Sequence, residues 1–194
     1  MDERQRRYVL LEREGIVSLR NAGSVAHCWE QFAFVPRALE ALRLLAAEDY
    51  AAIIISRQTW ASKGQGSSKE LDAITRRFLL QVALAEGHIA GVYYCRHRKE
   101  DECNCFAPAG LIARACLEHG FVLENTYFIG EKEIALEAAA AAGCHTLRIQ
   151  RDAFLQPEMG GRKPLGVASN LYEAVEQVLA TERVLKSMHA SVLA

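Results

Sequence analysis

Five short apolar runs recur along the chain: Tyr8–Leu11, Ala51–Ile55, Ile89–Tyr94, Thr126–Ile129 and Cys144–Ile149. Each is too short for a helix and is bounded by polar residues or glycine. Such runs read as strands buried on both faces. The segments between them carry helical spacing. Strand and helix therefore alternate, which implies a parallel sheet covered on both sides and joined by right-handed crossovers. The expected fold class is α/β, a Rossmann-like three-layer sandwich with a central parallel sheet. With 194 residues, no internal repeat and no dividing linker, residues 1–194 are expected to form one domain.

The helices have recognisable ends. Pro36 suits a first turn, and Leu39, Leu42 and Leu44–Leu45 then follow helical spacing to about Asp49. Ser67 or Ser68 can cap a helix whose inner face is Leu71, Ile74, Phe78 and Val82. Pro108 opens a helix running to His119. An alanine-rich helix closes at Gly143, and an amphipathic helix runs from Leu171 to about Met188. Residues 16–35, 62–68 and 152–164 are loops. The first is long enough to suggest the substrate side of the sheet.

Charge excludes some functions. The formal net charge is −1, and the 24% of charged residues are mixed in sign, so no basic face for nucleic acid is expected. No apolar run approaches the ~20 residues of a membrane span. Residues 1–7 lack the apolar segment of a signal peptide, and the expected location is cytoplasmic. In that compartment the six cysteines are expected to be thiols or metal ligands.

Two stretches carry chemistry. The first run ends in Glu12-Arg13-Glu14-Gly15. Two carboxylates at the carboxyl edge of a parallel sheet suit a metal ion or a nucleophile, and suit a solvated turn equally well. The second stretch is Cys95-x-His97 followed by Cys103-x-Cys105. Three thiolates and one imidazole within residues 95–105 suit a closed tetrahedral zinc site. With every position taken by the chain, such a zinc is structural. Cys28, Cys116 and Cys144 are expected to be packing residues. His27, His88, His119, His145 and His189 have no evident partner and are read as surface or packing residues.

With these residues in view, the chain resembles the haloacid dehalogenase superfamily phosphatases, in the branch of heptose bisphosphate phosphatase and the histidinol-phosphatase domain. The resemblance runs from about Val9 to about Ile149. It rests on the Cys-x-His…Cys-x-Cys loop, the order and spacing of the strand-end motifs, Tyr93–Tyr94–Cys95 and Phe34–Val35–Pro36. It implies an aspartate nucleophile after the first strand and an aspartate acid/base two residues later. It also implies a Ser/Thr-Asn-Gln phosphate motif after the second strand, Arg-Lys-Pro after the zinc loop, and a Gly-Asp magnesium motif after the fourth strand.

This sequence departs from that pattern at most catalytic positions. Glu12 and Glu14 stand where the nucleophile and the acid/base are aspartates. Ser56–Arg57–Gln58 keeps the hydroxyl and the glutamine of the phosphate motif, but Arg57 replaces asparagine, and Trp60 stands where glycine is usual. Phe106–Ala107–Pro108 lacks the phosphate-binding lysine. Glu131 replaces the magnesium-binding aspartate, and Ala135 a further acid. Each glutamate moves its carboxylate by about 1 Å or more, a displacement that alone can cost about a hundredfold in rate. Three such shifts make a poor octahedral magnesium site.

The expectation is therefore a catalytically degenerate phosphatase homologue with a structural zinc. Its role would be binding or regulation, through a phosphorylated sugar or a protein partner. Arg57 is expected to pair with Glu12 or Glu14 and fill the old metal position. The alternative is an active metal-dependent phosphatase of small phosphorylated metabolites, such as D,D-heptose 1,7-bisphosphate. There Glu12 is nucleophile, Glu14 acid/base, Glu131 a metal ligand, and Ser56, Arg57 and Gln58 bind phosphate. A third reading uses the C-terminal helix, through Val175, Val178, Leu179 and Leu185, to join an assembly.

Overall fold

The computed structural model describes residues 7–20, 26–62, 67–97, 103–105, 109–151 and 163–192. Expectations for Phe106–Ala107–Pro108 and for residues 152–162 fall outside these. Among the described residues, one parallel sheet holds β1 (Arg7–Leu11), β2 (Tyr50–Arg57), β3 (Ile89–Cys95), β4 (Tyr127–Gly130), β5 (His145–Ile149) and β6 (Gly166–Ala168). Their spatial order is β3-β2-β1-β4-β5-β6. All five expected strands are present, within one or two residues of their expected ends. The addition is β6, whose three residues pair with β5 at the sheet edge. Three residues are too few for a period to show, and Val167 within them is exposed.

Side chains alternate across the strands and so build two apolar layers. Val9, Leu11, Ala52, Ile54 and Ile129 face α1 (Ala38–Ala47), α2 (Ser68–Leu84) and α5 (Leu171–Val192). Leu10, Ile53, Ile55 and Phe128 face α3 (Gly110–His119) and α4 (Glu133–Ala141). The sheet is thus covered on both faces, as the alternation of elements required.

The helix boundaries follow local chemistry. Ser67 accepts from the Glu70 backbone N–H while the Glu70 carboxylate takes the Ser67 N–H, a full capping box on α2. Its buried stripe is Leu71, Ile74, Phe78 and Val82, as spacing predicts. In contrast, α1 starts at Ala38, so Pro36 precedes the helix instead of lying in its first turn. Arg37 takes a left-handed conformation there, with φ 63°, and its guanidinium lies 3.4 Å from the Tyr172 ring centroid. In α5, Val175, Val178 and Leu179 are buried and Leu185 is exposed, so the first half of that helix serves the core.

Strand order positions the site. The chain runs outward from β1 to β2 and β3, then returns to β4 on the other side of β1. The carboxyl ends of β1 and β4 therefore face a crevice at the point where the winding reverses, the usual ligand position in an open parallel sheet. Glu12 follows β1 and Glu131 follows β4.

Candidate functional site

The turn after β1 is tight. The Val17 and Ser18 amides both donate to the Arg13 carbonyl at 2.9 Å, and the Gly15 amide donates to the Ser18 carbonyl at 2.7 Å. Gly15 has φ +85°, a conformation glycine adopts without strain. This turn sends the Glu12 side chain one way and the Arg13 and Glu14 side chains together another.

Glu12 reaches across to β4. Its Oε2 accepts from the backbone N–H groups of Glu131 at 2.7 Å and Lys132 at 3.0 Å. Lys132 is the N-cap of α4, so the carboxylate sits on the two amides that lead into the helix, at the end where negative charge is favoured. The extra methylene of glutamate provides that reach. Burial pushes the Glu12 carboxyl above its ordinary range, although the two amides, Lys132 and Arg20 pull the other way.

Glu14 turns towards β2 and is completely enclosed. Arg13 Nε donates to its Oε1 at 2.5 Å, Gln58 Nε2 donates to the same oxygen at 2.6 Å, and Ser56 Oγ donates to Oε2 at 2.5 Å. Burial alone would raise this carboxyl. The adjacent guanidinium and the Ser56 and Gln58 donors outweigh it and hold Glu14 below the usual carboxylate range. Arg13, 1% exposed, also donates to the Tyr94 hydroxyl at 2.8 Å, which in turn meets Thr75 Oγ1 at 3.0 Å. Trp60 Nε1 donates to Gln58 Oε1 at 2.6 Å, and the His27 ring stacks on Trp60 with centroids 4.7 Å apart. The network is closed on every side by donors that match acceptors.

Glu131 brings its amide, not its carboxylate, to Glu12. Its Oε2 is buried and lies 2.9 Å from Arg20 Nη2, as an ion pair without hydrogen-bond alignment. The same Arg20 nitrogen donates to the Glu14 backbone carbonyl at 3.1 Å. Arg151 donates to the Gly15 carbonyl, and Arg148 to Glu133.

Glu12, Glu14, Ser56, Gln58 and Glu131 therefore lie at one sheet edge. Arg57 is the correction. The guanidinium against Glu14 belongs to Arg13, while Arg57 lies close enough to Cys103 to help lower its thiol. Arg13 wins because it is already in the turn, and a buried carboxylate must bring its own cation. Sequence reading missed Arg13, Arg20, Tyr94 and Thr75 as site residues. The available signal was Arg13 itself, a cation held between two acids at the end of a buried strand.

The second cluster lies at the end of β3. The ligand atoms of Cys95, His97, Cys103 and Cys105 all fall within 4.8 Å of one another. Cys95 Sγ is 3.7 Å from His97 Nδ1 and 3.8 Å from Cys103 Sγ, and Cys105 Sγ is 3.3 Å from His97 Nδ1. Zinc binds sulfur at about 2.3 Å and imidazole nitrogen at about 2.0 Å, so tetrahedral donors stand roughly 3.5–3.8 Å apart. The donor set suits that ion, and these three separations lie within a few tenths of an ångström of its tetrahedral spacing. The backbone of Cys105 lowers the Cys103 thiol, whereas burial and the neighbouring sulfurs push Cys105 up to about 12.

No protein-family model matches the chain. Individual relatives do. The D-glycero-beta-D-manno-heptose-1,7-bisphosphate 7-phosphatase of Helicobacter pylori (strain J99) is 31% identical over 128 residues, covering 64% of this chain and 72% of the relative. The chain belongs to the haloacid dehalogenase superfamily, in its heptose bisphosphate phosphatase branch. The Bordetella bronchiseptica enzyme of the same name is 24% identical over 174 residues, 88% of this chain and 97% of that one. The fold agrees. The structure of D,D-heptose 1,7-bisphosphate phosphatase from B. bronchiseptica, complexed with magnesium and phosphate, superposes with a TM-score of 0.82 at 22% identity, over 90% of this chain and 99% of that one. The corresponding protein from Burkholderia thailandensis gives 0.69 at 16%, over 89% and 98%.

Proposed function

We propose that this member of the heptose bisphosphate phosphatase branch binds a phosphorylated sugar or a protein partner and does not hydrolyse phosphate monoesters through Glu12. One observation carries the reading: the Glu14 carboxylate is saturated by Arg13, Ser56 and Gln58. An acid/base must be open to the leaving group, and a phosphate-binding hydroxyl must have its donor free. Here each of those groups satisfies the other. Glu12 Oε2 is taken up by two backbone amides ahead of α4, whereas an in-line nucleophile needs its oxygen free.

The relatives' names favour a second reading, an active phosphatase of a heptose phosphate. One experiment separates the two. Phosphate release is measured with heptose phosphates, histidinol phosphate and an aryl phosphate, each with magnesium, manganese or calcium, beside a Glu12→Ala control. The expected result is release no greater than in the control. Turnover that vanishes in the control would establish glutamate as the nucleophile and overturn the non-catalytic reading.

The four donors at the end of β3 support a structural zinc. Cys95, His97, Cys103 and Cys105 would hold it, and it would fix the shape of the loop without taking part in chemistry.

A further inference from the structure

The carboxyl edge of β1 and β4 presents two oxygen groups to one point, the Glu14 carbonyl and the Glu131 carboxylate, with the Glu12 carboxylate beside them on the Glu131 amide. These residues include Glu131, the metal ligand of the catalytic alternative, and they do not fit a divalent ion. Glu12 Oε2 already accepts two backbone hydrogen bonds. The Glu131 carboxylate and the Glu14 carbonyl converge on a single nitrogen, Arg20 Nη2, at 2.9 and 3.1 Å.

We propose that Arg20 is the resident cation of this crevice, standing in for a divalent metal and keeping magnesium out. Three features support it. First, the guanidinium is paired with the Glu131 carboxylate and bonded to the Glu14 carbonyl, so one side chain supplies a positive charge to both oxygens. Second, Gly15 makes room for the pair. A Cβ there would lie 2.4 Å from Glu131 Oε2 and 3.3 Å from Arg20 Nη2, so the turn glycine is needed for the acid and the guanidinium to sit against the backbone. Third, Arg20 is tethered six residues from Glu14. A tethered group competes at an effective concentration near or above the millimolar range. Magnesium must displace it, surrender water and accept octahedral geometry from the remaining oxygens. Arg20 and Glu131 side chains are 29% and 31% exposed, so the block comes from occupancy and charge balance more than from a strong ion pair.

The inference deepens the non-catalytic reading, and its test reads metal binding alone. Mn2+ is titrated into the purified full chain and followed by the paramagnetic resonance of the free ion. Wild type and Arg20→Lys, which keeps the cation, are expected to show no saturable site at the β1–β4 edge. Arg20→Ala is expected to gain at least about tenfold in Mn2+ affinity, and Arg20→Ala/Glu131→Gln to lose that gain. Arg20→Gln, which keeps the bulk, serves if the alanine variant melts early. Equal Mn2+ binding by wild type and both neutral variants would overturn the proposal, as would no gain in either variant. Mn2+ binding by wild type without phosphate release would refute Arg20 as the block while leaving the non-catalytic reading standing. Release that depends on Glu12 would refute that reading instead.

Discussion

At the scale of single residues, one added methylene redirects three acids. Glu12 reaches the Glu131 and Lys132 amides ahead of α4. Glu14 reaches between Ser56 and Gln58, and Glu131 turns to Arg20. Each longer side chain finds a donor of the chain's own, which places the strongest energetic demand on Arg13. Its guanidinium is the only charged partner of Glu14 among the described ion pairs, and both are buried. Removing one member of such a pair leaves the other charge stranded, at a cost of about 3–5 kcal/mol. Arg13→Met keeps much of the volume and is expected to lower unfolding free energy by that amount in urea titrations. Arg13→Met/Glu14→Gln is expected to recover most of it. A single variant as stable as wild type would mean the pair contributes nothing. Here the sequence was half legible. It marked Glu12 and Glu14 by their place at a strand end and Ser56 and Gln58 by the family resemblance, but it assigned the balancing charge to Arg57. Which of two nearby arginines turns inward depends on the turn at Gly15, and a one-dimensional pattern does not show that turn.

At the scale of elements, periodicity was legible wherever an element had a buried face of sufficient length. The α2 stripe and five strands follow that rule, and β6 breaks it by being three residues long. The loop after β3 was legible for a different reason: ligand chemistry limits spacing as tightly as a hydrophobic period does. Its sulfurs stand on the apolar layer with Tyr93, Leu111 and Ile112, so a metal there would tie the end of the edge strand β3 to the start of α3. Metal analysis of protein purified without added zinc is expected to give about one zinc per chain. Cys103→Ser/Cys105→Ser is expected to release it and to lower the melting temperature, because the binding free energy of a structural site is folding free energy. Zinc retained by the double variant would rule out this ligand set.

At the scale of the whole molecule, the alternation of strand and helix establishes a covered parallel sheet but not the order of its strands. That order, with β1 between β2 and β4, brings residues 12, 56 and 131 to one edge and buries two carboxylates with opposite shifts. Their titration should appear in the stability of the entire fold. Glu14 is held below its ordinary value. It contributes stability that is present above the unfolded glutamate pKa of about 4.3 and is lost as pH falls through the folded value. Glu12 is raised, so the folded state retains its proton longer than the unfolded chain does. Stability from this group falls as pH rises from about 4.3 towards the folded value. Glu12→Gln removes that loss and keeps an oxygen for the Glu131 and Lys132 amides. The melting temperature of Glu12→Gln relative to wild type is therefore expected to rise between pH 4 and pH 7. Thermal melts across that range check it. A difference that stays constant, or shrinks with pH, would show that the amides and the neighbouring cations offset the burial of Glu12 completely. The acid would then be held as a stable anion at the mouth of α4.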